Sequence, residues 1–403
     1  MSKPKVRFKK FTNDWEQRKV TDLGEIYIGL VTTMTEHYTN QGHLLIRNSD
    51  IKDGYFEFGE NPIYLDEEFS KQNKSRMHQL GDVITVHTGD IGTSAVIGEN
   101  EANSIGFATI VTRPNQEILD SNYFATYLNT DTHKQWAISM ATGDGRSNYN
   151  LKDYTKLVVP IPEIEEQKKI ATSIVNLNTI ITLHQRKCDD LRKLKKYMLQ
   201  KMFPQNGTNV PEIRFSGFTD AWEQRKFSEL YVKSSEKNDG SIRMDRNITV
   251  ATMQFKEDVK VSTVEYLKTY YTFNLGDIAF EGHQSKEFRY GRFVENDIGN
   301  GIVSHIFAVF RPIKEFDLQF WKYAINNEIL MQRILSRSTK ASTMMHDLVT
   351  EDFLNETFLV PSLDEQKQIG ASLKSLDHLI TLHQHKCDEL KKLKNFMLHN
   401  MFV

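Results

Sequence analysis

The sequence has only two cysteines among its 403 residues, and no long apolar run. Cys188 and Cys387 are too few for a disulfide framework, which fits a reducing compartment. Residues 1–7 lead into no apolar segment, and nowhere do eighteen apolar residues follow one another, so nothing indicates export or membrane insertion. We therefore expect a cytoplasmic protein.

The sequence also lacks the loops that mark common catalytic centres. It contains no glycine-rich phosphate loop, no Gly-x-Gly-x-x-Gly turn and no nucleophile elbow. The Asn-Pro-Ile-Tyr run at 61–64 is similar to the Asn-Pro-Pro-Tyr loop of adenine methyltransferases, but no glycine-rich cofactor loop precedes it. The Glu-Gln-Lys runs at 166–168 and 365–367 match half of a nuclease motif, although acidic residues at helix starts are typical of helix-dipole compensation. We expect no catalytic residue in this chain.

Charge of one sign is not in excess either. The chain has 51 Lys and Arg residues against 53 Asp and Glu residues, a formal net charge of −2. With 39% hydrophobic and 26% charged residues, the composition is that of a globular protein. A bound nucleic acid would have to be contacted by local groups of basic and polar side chains.

The most informative feature that is present is an internal duplication. The run Phe-Thr-Asn-Asp-Trp-Glu-Gln-Arg-Lys at 11–19 returns with two changes at 218–226, and the run His-Gln-Arg-Lys-Cys-Asp-Asp-Leu at 184–191 returns with two changes at 383–390. A repeat of roughly 200 residues is too long for a solenoid, and it indicates two complete domains related by approximate two-fold symmetry.

Each repeat combines a mixed part, with short β-rich runs between Gly, Asn and Asp turns, and a long helix. We predict an α+β fold with two similar mixed α/β domains, related by pseudo-two-fold symmetry and separated by two long helices packed as an antiparallel coiled coil. The predicted boundaries are 1–161 and 205–361 for the two domains, 162–204 for a central helix and 362–403 for a C-terminal helix.

The two helices each carry one apolar stripe, the helix seam, with steps of three and four residues. Prolines precede both helices, and Ser362 with Glu365 has capping-box spacing. Dimerisation with a second molecule is the alternative, but symmetry within one chain favours an antiparallel intramolecular pair. The helix seam comprises Ile170, Ile174, Leu177, Ile181, Cys188, Leu191, Ile369, Leu373, Leu376, Ile380, Cys387 and Leu390.

A histidine lies four residues before each cysteine, at His184 and His383, so four soft ligands would converge if the helices crossed there. Cysteine on an apolar helix face is ordinarily a small hydrophobic residue. We therefore predict no metal site.

Polar clusters beside predicted strands and turns are the candidates for a recognition surface. Two loops, at 142–150 and 336–346, are rich in hydrogen-bond donors and occupy equivalent places in the repeats, and arginine can contact guanine edges or phosphate. The candidates are Arg47, Asn48, His87, Thr142, Gly143, Arg146, Ser147, Asn148 and Tyr149 in the first repeat, and His283, Gln284, Lys286, Arg289, Arg337, Ser338, Lys340, Ser342, Thr343 and His346 in the second.

The whole chain resembles the specificity (S) subunits of type I restriction-modification systems. The resemblance is carried by the repeat opening at 211–219 with Trp222 and Glu223, the Thr-Gly turn at 142–143 leading to the Asn-Leu-Lys-Asp run at 150–153, and the Val-Pro-Ile-Pro run at 159–162 before Glu-Gln at 166–167. It implies two target recognition domains, each reading half of a bipartite, non-palindromic DNA site, with the helices as spacer.

The resemblance also implies partners and cofactors. Two methylation (M) subunits would dock on the helices, and restriction (R) subunits would join through the complex. S-adenosylmethionine, ATP and Mg would bind to those subunits, which carry out adenine methylation and ATP-dependent cleavage. The alternatives are a coiled-coil assembly scaffold without sequence-specific DNA binding and a self-sufficient enzyme.

Overall fold

The computed structural model describes residues 3–141, 148–205, 207–257, 263–342 and 345–402, and the chain divides into two compact units. Unit 1 comprises Met1–Gln185 and Gln384–Val403, and unit 2 comprises Arg186–His383. Each unit therefore contains parts of both long helices, whereas the boundaries predicted from the sequence gave each helix a segment of its own.

Unit 1 contains a mixed α/β part and the start of the first long helix. Its strands are β1 (Glu16–Lys19), β2 (Gly24–Ile28), β3 (Tyr38–Thr39), β4 (His43–Arg47), β5 (Ile51–Lys52), β6 (Tyr55–Phe56), β7 (Tyr64–Leu65), β8 (Val83–Thr85), β9 (Ser94–Val96), β10 (Ile105–Phe107), β11 (Ile110–Pro114) and β12 (Val158–Ile161). The helices that begin in it are α1 (Glu67–Gln72), α2 (Ser121–Leu128), α3 (Asp131–Met140), α4 (Leu151–Tyr154) and α5 (Ile164–Lys201).

Unit 2 has the same general order of elements. Its strands are β13 (Glu223–Lys226), β14 (Tyr231–Ser234), β15 (Ile248–Thr249), β16 (Gln254–Phe255), β17 (Tyr271–Phe273), β18 (Ile278–Glu281), β19 (Arg292–Glu295), β20 (Gly301–Val303), β21 (Ala308–Pro312), β22 (Thr339–Ala341), β23 (His346–Leu348) and β24 (Thr357–Val360). Its helices are α6 (Phe227–Leu230), α7 (Val264–Leu267), α8 (Leu318–Ile325), α9 (Glu328–Ser338), α10 (Thr350–Asn355) and α11 (Leu363–Asn400). Among the described residues, no helix is long and apolar enough to cross a membrane.

The sheets show which parts of the two units are alike. The central antiparallel sheet has the order β2-β11-β8-β9 in unit 1 and β14-β21-β18-β19 in unit 2. A two-stranded pair closes each unit, β1 with β12 and β13 with β24, in the same register. The remaining strands differ: unit 1 has a second four-stranded sheet, β10-β4-β7-β3, and unit 2 has short pairs. The predicted fold class, two similar mixed α/β regions, is confirmed.

The end of each long helix leads into the core of one unit. Phe402, after α11, lies in the core of unit 1, where its ring centroid is 6.4 Å from that of Trp15 and 5.5 Å from that of Tyr123. Phe203, after α5, lies in the core of unit 2, 5.9 Å from Trp222. Burying a large aromatic side chain stabilises by about 2–3 kcal/mol. These anchors explain why each unit contains helix segments from both repeats.

The helix segments inside each unit pack against each other through the helix seam. In unit 2, Cys188 Sγ donates to the Ile380 carbonyl at 3.8 Å, and Lys195, farther along α5, binds Asp377, which comes earlier on α11. In unit 1, Cys387 Sγ donates to the Ile181 carbonyl at 3.6 Å. The pairing is antiparallel in unit 2, as the sequence predicts. Among the described residues, no group of three or more His, Cys, Asp or Glu side chains could hold a metal ion.

A buried ion pair fastens the start of each long helix to the opening of its repeat. Arg7 Nε and Nη2 donate to Glu166 in unit 1, and Arg214 Nε and Nη2 donate to Glu365 in unit 2, all at 2.7 Å. Both glutamates lie in the first turn of their helix, as the helix-dipole interpretation predicts, and their carboxylates also bind arginine. Only half of the predicted capping box is present, with Ser362 Oγ accepting from Glu365 N at 3.4 Å.

The globular parts of the repeats share two short runs: Leu-Gly-Asp at 80–82 returns at 275–277, and Arg-Pro at 113–114 returns at 311–312. In each unit an ion pair joins the two runs. Arg113, in the Arg-Pro step of β11, donates to Asp82 at 2.9 Å, and Arg311 donates to Asp277 at 3.0 to 3.1 Å. Both aspartates are buried and precede β8 and β18, the inner strands of the central sheets. The residues that recur in the globular parts therefore stabilise the central sheets, which we call the shared framework of the two units.

Candidate nucleic-acid interface

Three segments that the sequence presents as separate candidates meet in unit 1. Asn148 forms an isolated β-bridge with Thr88, and Tyr149 N donates to the His87 carbonyl at 2.9 Å. Asn48 Oδ1 accepts from His87 N at 2.8 Å. We call Asn48, His87, Thr88 and Asn148 the unit 1 polar cluster. It lies where the chain leaves β4 and β8 and where it returns from the candidate loop.

Side-chain hydrogen bonds connect the members of this cluster. Thr88 Oγ1 donates to Asn148 Oδ1 at 2.6 Å, and His87 Nδ1 lies 2.7 Å from Thr88 Oγ1. The His87 side chain is half-buried, and burial lowers its pKa from the usual value because it penalises the charged imidazolium. The cluster therefore presents a neutral imidazole beside two amides and a hydroxyl.

Two other candidates of unit 1, Tyr149 and Arg47, have side chains that are engaged in contacts within the unit. Tyr149 is fully buried, and its ring packs against Trp136 and Tyr154 with centroids 6.0 and 5.5 Å away. Its position fits an anchor for the loop rather than a surface contact. Arg47 donates to both carboxylate oxygens of Asp50 at 2.8 and 3.0 Å, which fixes the turn after β4.

Five of the predicted contacts lie outside the described residues: Thr142, Gly143, Arg146, Ser147 and Thr343. Their assignment stays a prediction.

Unit 2 has a polar cluster at the equivalent place, after β18. His283 forms an isolated β-bridge with Met345, and His346 N donates to the Gly282 carbonyl at 2.8 Å. The His346 imidazole lies between Thr339 Oγ1, 3.3 Å from Nδ1, and the Gln284 amide, 2.6 Å from Nε2. We call Gln284, Thr339 and His346 the unit 2 polar cluster.

The remaining candidates of unit 2 divide into surface and framework residues. His283, Lys286 and Arg289 are exposed after β18, with the Arg289 guanidinium 5.5 Å from the Tyr290 ring centroid. Lys340 and Ser342 are exposed near the β22–β23 pair. By contrast, Arg337 pairs with Glu356, and buried Ser338 donates to the Ile334 carbonyl at 2.9 Å.

The two polar clusters occupy the same place in the framework but differ in chemistry. Unit 1 offers two asparagines, a threonine and a half-buried histidine, whereas unit 2 offers a glutamine, a threonine and a histidine joined to the glutamine. The sequence did not indicate that the separate candidates come together in one cluster in each unit. Their positions in the repeats could have indicated this. His87 follows the strand that begins after Asp82, and Gln284 follows the strand that begins after the equivalent Asp277.

The family model for the type I restriction modification DNA specificity domain matches residues 12–193 and 220–392. The chain belongs to this family. Each match begins at the opening of a repeat and continues into a long helix. The two repeats are therefore two specificity domains in one chain, and both polar clusters lie inside the matched ranges.

Similar proteins carry the corresponding names. The chain is 21% identical over 343 residues to the type I restriction enzyme MjaVIII specificity subunit of Methanocaldococcus jannaschii, covering 81% of this chain and 79% of that protein. It is 26% identical to the EcoBI specificity subunit of Escherichia coli over 133 residues, 33% of this chain and 28% of that protein. The crystal structure of the type I S subunit from M. genitalium has the same fold, with a TM-score of 0.62, 13% identity and coverage of 100% and 99% of the two chains.

Proposed function

We propose that this chain is the DNA-reading subunit of a type I restriction-modification complex, in which each unit reads one half of a bipartite, non-palindromic sequence. One observation carries the proposal: the units share a framework but place different polar clusters at the same position in it. Hydrogen-bonding side chains distinguish base pairs by their donors and acceptors, so unlike clusters read unlike half-sites. A scaffold without a DNA role would need no such difference.

The chain directs chemistry that other subunits perform. S-adenosylmethionine for adenine methylation, and ATP with Mg for cleavage, would bind to the methylation and restriction subunits. The long helices would set the spacing between the half-sites and provide the docking surface for the methylation subunits.

A second apolar stripe on the long helices supports docking of two methylation subunits. It lies outside the helix seam, its members are 40 to 59% exposed, and each position on α5 has an equivalent on α11. Unit 1 presents Ile180, Leu183, Leu393 and Phe396, and unit 2 presents Leu194, Tyr197, Leu379 and Leu382. Exposed apolar groups of this kind mark protein interaction sites. Because each unit carries the same set, we infer one methylation subunit for each unit.

Charging the stripe of one unit should remove one methylation subunit. We expect Leu183→Glu with Phe396→Glu, in unit 1, to lower the number of methylation subunits per chain from two to one, because a carboxylate cannot be buried unpaired in an apolar contact. Leu382→Glu with Tyr197→Glu should do the same in unit 2, and the fourfold variant should bind none and abolish adenine methylation. Native mass spectrometry of the co-expressed complex measures the stoichiometry.

The matched control introduces glutamate at exposed apolar residues of the globular parts, Val31 in unit 1 and Ile306 in unit 2. These variants should keep two methylation subunits. If the fourfold variant still bound two, the stripe would not be the docking surface.

A further inference from the structure

The hydrogen bonds of the unit 1 polar cluster determine which nitrogen of His87 carries the proton. The Thr88 hydroxyl has one hydrogen, and it donates that hydrogen to Asn148 Oδ1 at 2.6 Å. The same oxygen lies 2.7 Å from His87 Nδ1, so in this contact it can only accept. Nδ1 of His87 is therefore the protonated nitrogen, and Nε2 of the neutral ring is an acceptor.

The neighbouring residues hold the backbone of His87 in place, while Thr88 holds the imidazole through Nδ1. Asn48 Oδ1 accepts from His87 N at 2.8 Å, while Asn48 Nδ2 donates to the Ala108 carbonyl at 3.3 Å, which fixes the amide from both ends. Tyr149 N donates to the His87 carbonyl at 2.9 Å. Among the residues that the structure describes, none is hydrogen-bonded to His87 Nε2. A rigidly placed acceptor on a half-buried ring is suited to selective recognition, because a wrong partner leaves it unpaired.

We propose that His87 is a specificity-determining residue of unit 1, whose Nε2 accepts a hydrogen bond from the exocyclic amino group of adenine or cytosine. The inference rests on the proposed function and adds the chemistry of one base contact. In the major groove, adenine N6 and cytosine N4 are donors, whereas guanine O6 and N7 and thymine O4 are acceptors. The unprotonated Nε2 therefore selects against guanine and thymine at the base that it meets.

Base analogues that lack one amino group test the contact. The assembled complex is bound to duplexes in which each adenine of the unit 1 half-site is replaced in turn by purine, and each cytosine by 2-pyrimidinone. We expect one position at which the wild type loses about 3- to 10-fold in affinity, the range for one net hydrogen bond. His87→Ala should bind the unmodified duplex more weakly by a similar factor. Its affinity should not fall further when the analogue is placed at that position.

Two substitutions of Thr88 test the position of the proton. Thr88→Ser keeps the accepting hydroxyl, so the loss on removing the amino group should remain. Thr88→Val removes the acceptor that holds the proton on Nδ1. In this variant, removing the amino group of the base should change the affinity little or not at all. The proposal would be contradicted if the amino-group deletion lowered the affinity of Thr88→Val as much as that of Thr88→Ser. It would also be contradicted if the loss of affinity caused by His87→Ala added to the loss caused by the analogue at every position. Thermal unfolding of each variant checks that unit 1 is folded.

The experiment separates failure of this inference from failure of the proposed function. If the wild-type complex bound its motif and unrelated DNA equally, the chain would not be a reader. If the wild type discriminated but His87→Ala showed the same loss as the wild type at every analogue position, only the role of His87 would be overturned.

Discussion

A chain with the unit 1 globular part in both positions should direct methylation to a motif that contains the same half-sequence twice. The change replaces residues 227–356 with a second copy of residues 20–157. Both segments begin directly after one strand of the closing pair and end directly before the other, with Lys19 paired to Val158 and Lys226 to Thr357. The β13–β24 pair and the Arg214–Glu365 ion pair remain. Because the polar cluster moves with its segment, its preference should move with it.

The measurement is the genome-wide adenine methylation motif in cells that express each chain with the methylation subunit. The reciprocal chain, with residues 227–356 in both positions, is the matched control and should repeat the other half-sequence. Together the two motifs should contain the two halves of the wild-type motif. An unchanged motif in either chain would contradict modular reading, and it would place the recognition in the helices or the closing strands.

Acid should destabilise unit 1 through two buried histidines. Burial lowers the pKa of both His78 and His133 to about 4. The folded chain keeps these rings neutral, whereas in the unfolded chain they bind protons with a pKa near 6.5. The unfolded state therefore binds more protons below pH 6.5, and the stability of unit 1 should fall between pH 6.5 and pH 4. Each histidine should cost about 3 kcal/mol at the acid end.

Unit 2 contains a buried acid with the opposite dependence. Both carboxylate oxygens of Glu295 are buried without a hydrogen-bond partner among the described residues, and burial raises the pKa of this carboxyl group well above the usual value. Since the unfolded chain ionises this group near pH 4.3, its contribution to the stability of unit 2 should fall as the pH rises above that value. Hydrogen exchange followed by mass spectrometry measures the opening free energy of each unit separately across pH 4.5 to 8.

Substitution of one histidine isolates its contribution to the acid response. Leu330 in α9 has the same position from the helix start as His133 in α3, so His133→Leu introduces the side chain that unit 2 uses there. This variant should flatten the pH dependence of unit 1 and leave that of unit 2 unchanged. Glu295→Gln is the control for unit 2. An unaltered acid slope in His133→Leu would show that His133 is not neutral in the folded protein.

The helices could be predicted from the sequence because a helix face is defined by residues that are close together in the sequence. Apolar steps of three and four residues define a helix face wherever they occur. Nine of the twelve residues of the helix seam are buried, and Leu177, Ile181 and Ile380 are half-buried. The partition of the helices between units was not predictable in this way. It depends on where Phe203 and Phe402 are buried, which is a tertiary property.

The polar clusters could not be predicted from the sequence. Asn48, His87 and Asn148 are far apart in the sequence, and only the arrangement of β4 and β8 brings them together. No local pattern distinguishes the buried Tyr149 from an exposed tyrosine in a polar loop. The duplication nevertheless carried real information, because the recurring Asp82 and Arg113 with their equivalents proved to be ion-pair partners.

We propose that two unlike reading units on one chain define one bipartite DNA site. The most direct test is the adenine methylome of cells that carry this chain and its methylation subunit, compared with cells that lack the chain. We expect one methylated motif with two different defined parts around an undefined gap of fixed length, present only in cells that carry the chain. Methylation at a continuous motif, or an unchanged methylome with both proteins expressed, would contradict it.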